Sequence, residues 1–146
     1  MVRFIYAGSA YSKEREVVCS SICYIISTLI DLPENIEIEF KNLKGDRYGE
    51  TLLDPRFKNR LRLDETLNVK EVMLPLVHEL LHLNQTHTGK LSVRRDGVIV
   101  WGDRHFKLPN RPITYDESMT LPWEQDVANK QQFLLEIVLK VGTPKY

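Results

Sequence analysis

Two histidines four residues apart, the first followed directly by a glutamate, constrain this chain more than any other feature: His78-Glu79-Leu80-Leu81-His82. On an α-helix, residues i and i+4 lie one turn apart on the same side, so both imidazoles can reach a single metal ion. Glu79 is offset by about 100° and can reach a water on that metal without being a ligand. The segment is therefore expected to be helical, with Val72, Leu76, Leu80 and Leu83 as an apolar stripe facing a core. Asn68 and Glu71 form a capping-box-like start for this helix, and Gly89 supplies its stop. Pro75 lies inside that span and removes one backbone donor, which predicts a kink or a late start.

The rest of the chain has to supply a scaffold. At 146 residues and 42% hydrophobic, a single domain over residues 1–146 can bury a core without metal or disulfide staples. The 20 Lys+Arg and 20 Asp+Glu balance and are scattered, so no nucleic-acid partner is expected. The longest apolar-rich run, residues 17–30, is interrupted by Ser20, Ser21, Ser27 and Thr28. It falls short of the roughly 20 residues needed to span a bilayer, so no membrane association is expected, and residues 1–12 carry no signal-peptide pattern. Cys19 and Cys23 share one helical face, where a disulfide would have poor geometry. Buried thiols and a cytoplasmic setting follow.

The periodicities predict strands at 2–6, 36–40, 48–53 and 59–63, and a scaffold helix at 12–32 capped by Ser12 and stopped by Pro33. Val17, Ile22, Ile26, Leu29 and Ile30 would be its inward face. Residues 91–95 and 98–101 flank Asp96-Gly97 as a hairpin with a type I′ turn. Residues 102–120 read as loop, and a last helix is expected over 122–141, started by Pro122. The fold class is α+β.

A catalytic zinc takes three protein ligands and leaves one position open. His87 is nine residues after His78, about 900° around a continuous helix and so on its opposite face. It could ligate only if the helix broke, yet no glycine precedes residue 89, and His87 otherwise reads as a rim or surface residue. On the last helix, Glu124 shares a face with Val127, Ala128, Gln131, Leu134 and Val138, whereas Asp126 is about 200° away and should point outward. An inward carboxylate is costly to bury alone, so Glu124 is favoured as the third ligand. A helix-start glutamate paired with an arginine is the structural alternative.

An HExxH segment with a glutamate on a later helix resembles the gluzincin arrangement of zinc metallopeptidases. More narrowly, His78-Glu79-Leu80-Leu81-His82-Leu83-Asn84-Gln85, Trp101-Gly102, Tyr115 and Pro122-Trp123-Glu124 resemble the HExxHxxQ, W-x-G and PWExxA segments of small metallopeptidases found in bacteriophage genomes. The resemblance covers about residues 68–130 and departs at Val127, where those proteins have alanine. It implies a minimal zincin-like α+β domain with one Zn²⁺ per chain on His78, His82 and Glu124. Its substrate would be a peptide or protein, with Glu79 as general base. Tyr115, in the segment before the ligand helix, is preferred over His105 and His87 as a donor to the oxyanion. Residues 59–63 are the candidate edge for pairing with an extended substrate, and Gln85 would orient ligands or loops. A non-catalytic zinc-binding or protein-interaction module and a zinc amidase acting on cell-wall peptide are the alternatives.

Overall fold

The computed structural model describes residues 2–8, 12–43, 47–53 and 55–141. Its elements in chain order are β1 (Arg3–Ala7), α1 (Lys13–Ser27), β2 (Asn35–Lys41), β3 (Gly49–Thr51), a 3-10 turn (Pro55–Phe57), β4 (Arg60–Asp64), α2 (Met73–His87), β5 (Leu91–Val93), β6 (Ile99–Trp101), β7 (Arg104–Phe106), α3 (Tyr115–Ser118) and α4 (Pro122–Val141). The class is α+β, as the periodicities predict.

A four-stranded sheet has the order β1-β2-β4-β3, parallel except for the antiparallel β3. Alternation in β2 sends Ile36, Ile38 and Phe40 into the core, where Leu61 and Leu63 of β4 join them. The opposite face carries cross-strand ion pairs. Glu37 is registered with Arg60 and Glu39 with Arg62, at 2.6 and 2.8 Å, and Arg62 also reaches Glu50 of β3 at 3.2 Å. Helices α1, α2 and α4 complete the core on the apolar side with Cys19, Ile22, Cys23, Ile26, Leu76, Leu80, Val127 and Val138 among its buried members. Both cysteines are free and buried.

Several expectations change here. Helix α1 ends at Ser27 rather than residue 32, because the hydroxyls of Ser27 and Thr28 bond back to the carbonyls of Tyr24 and Ile25 and the last turn tightens to i→i+3 bonds. Its buried stripe is Cys19, Ile22, Cys23 and Ile26, leaving Val17 and Leu29 exposed. The Asn68 capping box forms, with Asn68 Oδ1 accepting from Glu71 N and Glu71 Oε1 from Asn68 N, but it closes a separate turn ahead of α2. Pro75 consequently falls in the first turn of α2, where a missing N–H costs nothing, and the helix starts late instead of kinking.

Strands β5, β6 and β7 form a second, antiparallel sheet. The turn at Asp96-Gly97 is not type I′, since Gly97 alone of the pair has positive φ (84°) and its N–H bonds to Arg94 O. Strand β7 replaces part of the expected loop. Gly102-Asp103 makes a two-residue hairpin with Gly102 at φ 61°, as a type II′ turn requires at its first central position. This sheet packs with Leu91 and Ile99 around Trp123, whose ring meets Phe106 edge-on at 5.3 Å between centroids. The first turn of α4 is thus anchored by its tryptophan, one residue before Glu124. No helix among the described residues is long and apolar enough to cross a membrane.

Candidate metal centre

Helices α2 and α4 pack side by side, and the i, i+4 pair on α2 faces the first turn of α4. His78 Nε2 lies 3.4 Å from Glu124 Oε2, and His82 Nε2 lies 3.0 Å from Glu124 Oε1. One ligand atom from each of the three residues can be chosen so that all lie within 4.8 Å of one another. Tetrahedral ligands at about 2.0–2.1 Å from a zinc ion stand roughly 3.3 Å apart, so two imidazoles and a carboxylate at these spacings fit a metal ion. Among the described residues this is the one such group.

Each imidazole is fixed from behind by an amide. His78 Nδ1 donates to Gln131 Oε1 and His82 Nδ1 to Gln85 Oε1, both at 2.8 Å. With Nδ1 as donor, the Nε2 lone pairs are left for a metal. Gln85 is itself buried and spends its amide on Trp123 O and Asp126 Oδ2, each at 2.9 Å. Asp126 therefore does not point outward as the helical angle predicts. It is on the side of α4 away from Glu124, but that side meets the end of α2, where Asp126 holds Gln85 and pairs with Lys130. Glu124, not Asp126, is the carboxylate at the histidines.

The remaining candidates separate clearly. His87 ends α2 beside Asp31, 3.4 Å away, and does not line the cleft over the centre; nor does the exposed His105 of β7. Tyr115 begins α3, which Thr114 and Glu117 cap reciprocally. It lines the cleft but is 76% exposed. The expected pairing edge at residues 59–63 is corrected: β4 is bonded on both sides, the edge strands are β1 and β3, and of these β3 lines the cleft. The cleft has a volume of about 650 Å³ and is also lined by Ile113, Tyr115 and Met119.

Glu79 is 6% exposed and borders the same cleft. Burial pushes its carboxyl above the ordinary range, against the lowering influence of His82 and His78. For His78, burial disfavours the charged ring, but the hydrogen bond to Glu124 and the charge of Glu79 outweigh it and raise the pKa to about 9. His82 is raised in the same way. Burial works to raise Glu124, yet its hydrogen bonds to His78 and His82 take it down to about 2. Without a metal the Glu124 carboxylate favours protonation of both imidazoles, and a metal would compete with those protons for the ring nitrogens.

Two residues of this site went unread in the sequence. Gln131 stands on the Glu124 face of α4, two turns on, and was legible only as a packing position. Thr51, whose hydroxyl is 2.9 Å from Glu79 Oε1, comes from a three-residue strand with no motif around it. No protein-family model, no curated protein and no solved structure matches the chain.

Proposed function

We propose that this chain is a zinc-dependent peptide hydrolase with a zincin-like site, a reading that the HExxHxxQ and PWE resemblance also favours. The observation that carries it is the pairing of a three-residue donor set with a buried fourth group, Glu79, on one open cleft. A metal that only braced a fold would need no acidic residue held beside it. His78, His82 and Glu124 would hold the zinc, which when bound supplies Lewis acidity and an acidified water. Glu79 accepts the proton of the attacking water and returns it to the departing amine. Tyr115 at the cleft mouth is the candidate donor to the oxyanion. The free edge of β3 can add an extended substrate as a further strand, and Leu53, Leu74 and Met119 give the cleft apolar surface for its side chains.

The test is metal analysis of the purified protein combined with Glu79→Gln. The variant should keep one zinc per chain and the wild-type fold while peptide hydrolysis falls by about 10²–10⁴-fold. Zinc bound by both proteins with no peptide cleaved by either would transfer the site to a non-catalytic role.

A further inference from the structure

Side chains alternate along β3, so Gly49 and Thr51 face α2, whereas Glu50 between them turns to Arg47 and Arg62. Both inward positions meet the same side chain. The Thr51 hydroxyl lies 2.9 Å from Glu79 Oε1 and 3.2 Å from the Glu79 carbonyl oxygen, and its single proton goes to the carboxylate as the shorter bond. A Cβ placed on Gly49 would stand 3.0 Å from Glu79 Cγ and 3.1 Å from Oε2. The strand therefore grips one carboxylate oxygen and leaves only bare backbone beside the other. Among the described residues, no other group hydrogen-bonds the Glu79 carboxylate. A glutamate has three rotatable side-chain bonds, and burial alone does not choose among the rotamers that fit.

Building on the hydrolase reading above, we propose that Thr51 is a positioning residue for the general base: its hydroxyl fixes the Glu79 carboxylate toward the metal centre, and Gly49 keeps the space that this orientation needs. The same edge that receives substrate thereby aims the base, which couples the two groups that must meet across the scissile bond. Misplacement of a reacting group by about 1 Å can cost roughly 10²-fold in rate, so the effect belongs in kcat.

Zinc-loaded Thr51→Val, which keeps the shape and loses the donor, is compared with Thr51→Ser, which keeps the donor. Crystal structures of both should show Glu79 displaced or split between rotamers in the valine variant and unmoved in the serine variant. With a peptide that the wild type cleaves, Thr51→Val should lower kcat by about 10–100-fold with KM and zinc content unchanged, and Thr51→Ser should restore it. Gly49→Ala should also displace Glu79 with zinc retained. Should the valine variant fold poorly, Thr51→Ala answers the same question. Glu79 unmoved in the variants that lack the hydroxyl, or kcat at the wild-type level in them, overturns the proposal. If the wild type cleaves no peptide, the hydrolase reading fails, and the crystallographic comparison still decides whether Thr51 sets the carboxylate.

Discussion

On the helical wall of the cleft, each ring nitrogen of His78 and His82 and both oxygens of Glu124 have a partner, and the Gln85 amide behind His82 is tied on to Trp123 and Asp126. The rest of the cleft lining comes from short elements, the three-residue β3 and the four-residue α3, with Tyr48 and Tyr115 60% and 76% exposed. A ligand set must be held to within tenths of an ångström and benefits from long helices that share a core. A surface meant to receive a chain has to stay open, with unpaired backbone groups along it. The division predicts that substitutions of the ligands and of the amides behind them act on metal binding, whereas those in the open wall leave metal and fold intact and act on catalysis.

The sharpest break of that contrast is His82→Ala. It should leave a protein that holds no zinc after dialysis against a weak chelator and has no hydrolytic activity. Full zinc content in this variant would remove His82 from the ligand set.

Acidity comes next. Zinc affinity should climb about tenfold per pH unit for each histidine that must shed a proton, and zinc uptake at neutral pH should release protons to a pH indicator. Metal-free stability should run the other way. The raised His78 pKa contributes fully below its unfolded value near 6.5 and is lost as pH rises through about 9. The lowered Glu124 pKa contributes above 4.5 and is lost as pH falls through about 2. The alkaline decline in melting temperature should flatten in Glu124→Gln, and an unchanged decline would assign it to other groups.

Comparing the two amides divides the helical wall further. Gln131→Leu should weaken zinc binding by about 10–100-fold with little change in stability, because Gln131 is half-buried and bonds only His78. Gln85→Leu should do the same to zinc and also cost about 1–3 kcal/mol, since it removes the buried hydrogen bonds to His82 Nδ1, Trp123 O and Asp126. Calorimetric zinc titration beside denaturant unfolding separates the two. Equal stability losses would mean that the amides are interchangeable.

The smallest effect is expected at Tyr115→Phe on the open wall. The melting temperature should hold, because exposed substitutions seldom change stability by more than about 0.5 kcal/mol. Hydrolysis should fall by about tenfold, less than the 10²–10³ seen for enclosed donors. An unchanged rate would leave Tyr115 as a rim residue only.

The two walls also differ in how far the sequence reveals them. His78, Glu79 and His82 are readable because one helical turn dictates their spacing, and Glu124 because 3.6-residue periodicity puts it on the packed face of a long helix. Gln85 is readable as an orienting residue from its place in the HExxHxxQ-like segment and the hydrogen bonds that its amide can make. The same arithmetic placed Asp126 correctly relative to Glu124 and then failed, because an angle says nothing about which neighbour fills that side. Strand β7 was announced by Gly102-Asp103 and masked by the prolines that follow. The edge position of β3 could not be read at all, since strand order is a property of tertiary pairing and β3 inserts before β4 in sequence while lying outside it in space. Thr51 is invisible for that reason: its partner on α2 is 28 residues away, and no local pattern links them.

Between His82 and Glu124 runs the whole β5-β6-β7 sheet, yet the two side chains end 3.0 Å apart. A chain that has folded α2 but not yet docked α4 offers an ion two imidazoles and no carboxylate. The third donor arrives only when Trp123 has found its place against the small sheet. On the proposed reading, tight metal capture would follow completed folding, because a copy in which α4 is undocked lacks the Glu124 donor that stands 3.0 Å from His82.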